Sequence, residues 1–293
     1  MTRRTFGRAA EIAAFLLPFA AFWVVFRAGP VVYGIFISLY RWDPLGENAF
    51  TGLRNYLDLA RDPRFWNALA NTLQFAVLTV PLIIGVGLAF AALVFSHRRR
   101  RIAGWVEAGL FFPYLLTVSI VALVWRWLLD PDFGIVLILL RDAGISPPVF
   151  LNEPRWVIPA IAFTTAWWLA GYRMVFFRAA MEDIPDELYE AARLDGAGAW
   201  RIYISITLPL LRPAILFALV LTTISGFIVF GQVLIMTGGG PGRASEVLAL
   251  YMYRYGFEFL EMGRAAAVGV VLFVIILGLT LLSFRWLGYE AEL

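Results

Sequence analysis

The chain has 293 residues, 61% of them hydrophobic, with a mean hydropathy of +0.78. So much apolar surface cannot be hidden in a water-soluble core of this size, so lipid is the expected solvent for much of the chain. There is no cysteine and one histidine, and all 24 Lys/Arg positions are arginine. Disulfides, thiol nucleophiles and cysteine metal sites are therefore excluded, and a net charge of +3 gives no nucleic-acid signature.

The first stretch, "MTRRTFGRAAEIAAFLLPFAAFWVVF", has basic residues before an apolar run, as a signal peptide does. The run continues too far, and no small-residue cleavage site follows it cleanly, so it reads as a retained first span. A spanning helix needs ~20 mostly apolar residues. Six segments qualify, about 12–39, 68–95, 102–129, 156–180, 213–236 and 265–287. Pro18, Pro81 and Pro113 lie inside them, which membrane helices tolerate when neighbours satisfy the freed backbone groups. Period-2 barrel alternation is absent. The expected fold class is all-α, a polytopic membrane protein of six helices forming one domain over 1–293.

Arginine near the span ends sets the expected orientation. Arg3, Arg4 and Arg8 precede the first span, and "SHRRRR", with Arg98 to Arg101, joins the second and third. Both belong on the cytoplasmic side, with both termini inside. Loops 40–67, 130–155 and 237–264 then face outward, and 181–212 faces the cytoplasm. The first outer loop is rich in charge and aromatics, suited to interfacial anchoring or to contact with a soluble binding protein. His97 stands beside four arginines with no metal-binding partners nearby, and reads as a surface residue.

The inner segment runs "MEDIPDELYEAARLDGAGAWRIYISITLPLLRPA". Pro185 suits a first helical turn, and Asp186 and Glu187 complement the positive end of a helix dipole. With Glu182 and Asp183 they form an acidic cluster that dipole and solvent explain without acid–base chemistry. Leu188, Ala191 and Ala192 share a face at helical spacing. Gly196 and Gly198 permit a turn, a second helix runs from about Trp200 to Ile206, and Pro209 and Pro213 mark the bend into the fifth span.

Glu190-Ala191-Ala192, Gly196, Ile206, Leu208 and Pro209 match the EAA motif at every position (EAA, three residues, G, nine residues, I, any, L, P). The chain thereby resembles the permeases of binding-protein-dependent ABC importers. "FGQVLIMTGGGP" (230–241), "YMYRYGFEFLEMGRAAAVGVVLF" (251–273) and "LLPFAAFWVVFRAGPVVYGIFISLY" are similar to the maltose-type, carbohydrate-uptake branch. The resemblance implies the type I ABC importer permease fold, in the bacterial or archaeal cytoplasmic membrane. It implies a second and distinct permease, two copies of an ATP-binding subunit and an extracytoplasmic solute-binding protein. ATP and Mg would be used by the ATPase, with no cofactor on this chain. It further implies roles within the coupling loop 181–212: Glu190 facing the ATPase, Ala191 and Ala192 packing closely, Asp195 and Gly196 at the turn, and Ile206, Leu208 and Pro209 fixing the return. Two departures stand out. Val136 and Leu137 replace an asparagine frequent in the family, and Gly231 replaces an acidic residue before Gln232.

Other chemistry is sparse. "GGGPGRAS" (238–245) has the glycines of a phosphate loop but no lysine, and reads as a turn. Only Glu107 is acidic within a span, which disfavours an ion-coupled carrier. An intramembrane enzyme lacks a nucleophile–base pair or metal cluster, and a bare scaffold leaves the motif unexplained. Arg27 is expected to snorkel outward, Arg126 to pair with Asp130, and Arg173 to reach inner water or line the inner vestibule. The pathway is sought in "TTISGFIVFGQVLIMTGGGP", where Phe227 and Phe230 offer apolar faces for a sugar. Ser225 and Gln232 offer polar contacts, and Gly226 and Gly231 leave room. Asn71, Thr72 and Gln74 are weaker candidates.

Overall fold

The computed structural model describes residues 14–44, 46, 48–96 and 100–286. The expectations placed on Arg3, Arg4, Arg8, His97 and the side chains of Arg98 to Arg101 lie outside them. Among the described residues the chain is helical except for one antiparallel pair of two-residue strands, β1 (Tyr40–Arg41) and β2 (Ala49–Phe50). It packs as two compact units, one of 1–62 with 252–273, the other of 63–251 with 274–293.

The first unit contains α1 (Ala14–Ile37), the β1–β2 hairpin and α2 (Arg54–Arg61). Arg27 is exposed, in a π turn over Val24–Ala28. Asn55 ties the hairpin region together, donating to the carbonyls of Ser38 at 2.7 Å and Tyr40 at 2.8 Å. Arg264 pairs with Asp62, and its guanidinium lies 4.1 Å from the centre of the Tyr255 ring.

The second unit is built on two helices, α3 (Pro63–Ser96) and α7 (Val157–Glu182). α3 has 34 residues, roughly 51 Å at 1.5 Å per residue, so it exceeds a ~30 Å hydrocarbon core. Its buried side chains, Phe65, Ala68, Thr72, Phe75, Thr79, Ile83 and Val94 among them, recur every three or four positions and form one stripe. That stripe packs along α7. Pro81 faces outward, and α3 passes it unbroken. Between them run α4 (Arg100–Phe111), a 3₁₀ turn over Phe112–Leu115, α5 (Val118–Leu128) and α6 (Ile135–Asp142). After α7 come α8 (Asp186–Leu194), α9 (Ala199–Leu210), α10 (Arg212–Phe227), α11 (Gly231–Met236) and α12 (Leu248–Tyr253), with α13 (Met262–Trp286) last.

Among the described residues, three helices are individually long and apolar enough to cross a bilayer: Ala14–Ile37, Pro63–Phe95 and Met262–Arg285. The expected span 102–129 is bent by 97° between Ala103–Leu115 and Val118–Leu128. Gly171 helps explain the bend: a Cβ there would fall on the Leu110 carbonyl and come 2.9 Å from Phe111 Cα, so only glycine admits this approach to α7. A second bent pair, Ala199–Leu210 and Arg212–Phe227, meets at 68°. α7 has 26 residues, enough to span, but is not apolar enough to join the other three. Fourteen of its residues are buried, Thr164, Thr165 and Arg173 among them, so protein and not lipid surrounds most of it.

The segments 40–67, 130–155 and 237–264 hold helices that were not expected. α6 exists because Leu137 is wholly buried; the residue that departs from the family's asparagine is a core anchor. The glycine run forms a turn, as expected, with Gly238, Gly239 and Gly242 at φ +57°, +87° and +54°. Behind it Glu246 is wholly buried and receives two hydrogen bonds from Arg64, at 2.8 and 2.6 Å.

Candidate functional site

Two regions hold the residues singled out from sequence: the α8–α9 elbow and a cavity walled by α3, α7 and the α10–α11 break.

Pro185 is the residue before α8, one place earlier than expected, and Asp186 and Glu187 occupy the first turn. At the other end Gly196 has φ +79°. The Ala197 amide donates to the Ala192 carbonyl at 2.9 Å and the Gly196 amide to Arg193 at 3.0 Å. This left-handed glycine cap ends α8 and turns the chain toward α9. Glu190, Ala191, Asp195 and Gly196 are exposed, and Ala192 is half-buried. The face expected from Leu188, Ala191 and Ala192 is not the buried one, since Leu188 and Ala191 are exposed. The anchor is Tyr189, 4% exposed, with its ring 5.9 Å from that of Phe95 and its hydroxyl 3.4 Å from the Thr207 hydroxyl.

Pro213 and Pro209 flank the bend, but the helix does not break at Pro209. α9 runs through it, Ile206 and Leu208 are half-buried, and the chain turns at the buried Leu211. A π turn over Tyr203–Thr207 falls where Pro209 withholds its backbone donor from the preceding turn. Sequence reasoning passed over two exposed apolar side chains flanking the elbow, Leu194 at 89% and Trp200 at 73% exposure. Their position beside a glycine turn in a charged segment was the available signal. The elbow thus offers a contiguous surface of small, apolar and acidic groups to another macromolecule.

The cavity encloses about 400 Å³. Phe75, Thr79 and Ile83 line it from α3, and Tyr114 and Val118 from the α4–α5 junction. Thr165, Trp168, Tyr172 and Arg173 line it from α7, and Ser225, Gly226, Phe230, Gly231 and Gln232 from the α10–α11 break. Four sequence candidates, Ser225, Phe230, Gly231 and Gln232, therefore meet at one place. Phe227 does not join them; its ring is buried elsewhere in the protein. Gly231 has a steric reason to be glycine, because a Cβ there would lie 3.0 Å from Val118 Cγ2. A larger side chain at that position requires Val118 to give way.

The other polar candidates have different employment. Asn71 donates to the carbonyls of Arg243 and Glu246, at 3.1 and 3.0 Å, and Thr72 accepts from the Leu248 amide at 2.8 Å, so both hold the glycine-rich loop. Gln74 is exposed. Arg126 does not pair with Asp130: it donates to the Ile235 carbonyl at 3.3 Å, while Asp130 Oδ1 accepts from the Asp132 and Phe133 amides. Glu107 is neutralised by Arg178, which also bonds Glu182. No group of three or more metal-ligating side chains occurs among the described residues.

Residues 64–289 match the family model described as "Binding-protein-dependent transport system inner membrane component". The chain is 35% identical over 266 residues to the sulfoquinovosyl glycerol transport system permease protein SmoG of Agrobacterium fabrum, covering 89% of this chain and 84% of that one. It is 32% identical over 271 residues to the trehalose/maltose transport system permease protein MalF of Thermococcus litoralis, covering 92% and 91%. Its fold is similar to a chain of a bacterial alginate ABC transporter solved with an alginate-bound periplasmic protein, at a TM-score of 0.85 and 24% identity, covering 96% and 95%. The chain belongs to the binding-protein-dependent ABC transporter permeases of the carbohydrate-uptake type, multi-pass inner-membrane subunits whose ATPase is a separate polypeptide.

Proposed function

We propose that the chain is one of two distinct permease subunits of an ATP-driven sugar importer, working with two ATP-binding subunits and a solute-binding protein. The observation that carries this reading is the complete EAA spacing on an exposed glycine-capped elbow, joined directly to the helix that walls the cavity. The elbow lies on the cytoplasmic side and both termini are inside. Glu190, Ala191, Ala192, Asp195 and Gly196 meet the ATPase. ATP binding draws the ATPase pair together, the elbow moves with it, and the bundle opens outward; hydrolysis returns it inward.

The cavity is the passage. Sugars have apolar faces that stack on aromatic rings and hydroxyl edges that need hydrogen bonds. Phe230, Tyr114 and Trp168 supply faces, and Gln232 and Thr79 supply polar contacts. Both named relatives act on sugars or a sugar glycoside by their titles, which supports the substrate class. Another small polar solute, such as glycerol phosphate, is the second reading.

Reconstitution tests the proposal. Uptake of a labelled sugar into vesicles should require the ATPase subunit, ATP and the binding protein. Uptake in their absence, driven by an ion gradient, would overturn it.

A further inference from the structure

Arg173 is 7% exposed and lines the cavity. Its guanidinium has no ion pair and no hydrogen bond among the described residues; its one partner is the Tyr172 ring, 5.1 Å away. The other arginine near this end of α7, Arg178, is doubly paired with Glu107 and Glu182. Five residues separate the two, which turns them roughly 140° apart around the helix. No aspartate or glutamate lines the cavity. Arginine stays protonated in proteins, so the cavity carries one uncompensated positive charge.

A buried charge without a partner is costly, and such groups are ordinarily neutralised or await a ligand. Two more donors stand idle in the same cavity. Thr79 is 2% exposed with its hydroxyl unpartnered. Gln232 is 6% exposed, with no hydrogen bond to its amide among the described residues. The other threonine and serine hydroxyls of the lining are committed: Thr165 donates to Ile161 at 2.7 Å, Thr222 to Ala218 at 2.6 Å and Ser225 to Leu221 at 2.9 Å. The Trp168 indole donates to Leu116 at 3.1 Å. The free groups thus include a planar cationic fork, a threonine hydroxyl and an amide, beside the stacked rings of Tyr114 and Tyr172, whose phenols are further polar groups of the lining.

We infer that the cargo is an acidic sugar, with its carboxylate, sulfonate or phosphate held by Arg173 and its ring against the aromatic wall. The fork suits two parallel hydrogen bonds to an oxyanion, and these are about twice as strong as neutral ones. Thr79 and Gln232 complete the shell. This inference rests on the cavity being the passage.

The test uses the assembled permease–ATPase complex without its binding protein, so that the receptor does not preselect cargo. Equilibrium binding of labelled glucuronate is compared with glucose. Glucuronate should bind at least about tenfold more tightly, the worth of one charge-assisted contact. Arg173→Gln should bring the ratio close to one, and Arg173→Lys should restore part of it. Glucose bound as well as glucuronate by the unaltered complex overturns the charge inference and leaves the passage reading standing. Binding of neither sugar overturns both. Were Arg173 a strut pairing with a carboxylate of the second permease, Arg173→Gln would weaken both sugars equally and leave the ratio unmoved, and that result also overturns it. The unaltered protein's ratio decides the matter even if the variant fails to assemble.

Discussion

The Arg64–Glu246 pair allows a stability effect to be worked from geometry. Glu246 is wholly buried and the Arg64 side chain 13% exposed. The fork is bidentate, and Arg64 also lies 5.6 Å from the centre of the Tyr251 ring. Arg64→Met keeps most of the aliphatic stem and removes both guanidinium hydrogen bonds from the buried carboxylate. Breaking a buried pair from one side costs about 3–5 kcal/mol, because the remaining charge has lost its compensation. At about 2–4 °C per kcal/mol for a body of this size, the midpoint should fall by roughly 6–20 °C. The double variant Arg64→Met with Glu246→Leu removes both charges and should recover much of that loss. Thermal unfolding of the detergent-solubilised protein, followed by tryptophan fluorescence, reads both. An Arg64→Met midpoint within about 1 °C of the unaltered protein, or a double variant no better than the single, refutes the reasoning.

Four further outcomes are expected. Gly196→Val forces a branched residue to φ +79°, at about 1–2 kcal/mol, and should uncouple ATP hydrolysis from uptake while the subunits still assemble; intact uptake with intact assembly removes the elbow from the coupling role. Gln232→Ala should alter transport or selectivity and spare assembly, so unchanged uptake across a sugar panel takes it out of the passage. Gly171→Ala should destabilise by at least about 1–3 kcal/mol, since its Cβ meets backbone and not a flexible side chain. In contrast, Gly278→Ala, which meets nothing within 4 Å, should be neutral or gain up to about 1 kcal/mol from helix propensity.

Much of this was legible in the sequence because membrane and turn constraints are local. Apolar runs marked most of the helices, and Gly196 of the elbow and Gly238, Gly239 and Gly242 of the glycine run stand at positive φ. The bends were not legible. Pro81 and Pro113 look alike in sequence, yet α3 passes Pro81 unbroken while Pro113 lies buried in a 3₁₀ turn. The difference is a tertiary one: α7 approaches Leu110 and Phe111 closely at Gly171, just before Pro113. Tyr189 was missed because an aromatic residue in a charged helix carries no periodic partner within that helix; its partners, Phe95 and Thr207, lie on other helices. The two alternatives for Arg173, inner water or the lining of a vestibule, stayed open in the sequence for a related reason. Position along α7 suggested inner water, but which face an arginine presents is settled by the helices packed around it.

One apolar cluster connects the elbow to the cavity. Val80 and Ile84 from α3, Met174, Phe177 and Met181 from α7, Ile184 and Tyr189 from the start of the elbow, Ile202 from α9, Leu211 at the bend and Ala218 from α10 pack together, and Phe177 and Met181 are wholly buried. Interiors at this density shift between discrete arrangements and do not stretch smoothly. Met181 lies eight residues beyond Arg173 on the same helix, roughly 12 Å. The two helices that supply much of the cavity wall, α7 and α10, both enter this cluster, and α8 is fixed to it through Tyr189. A displacement of the elbow, as the proposed function has it, is passed through this cluster to α7, which carries Arg173, and to α10, which leads to the break before Gln232. Under the proposed function, cargo release and the movement of the elbow are one mechanical event, because opening the cavity separates Arg173 from the amide and hydroxyl that complete its shell.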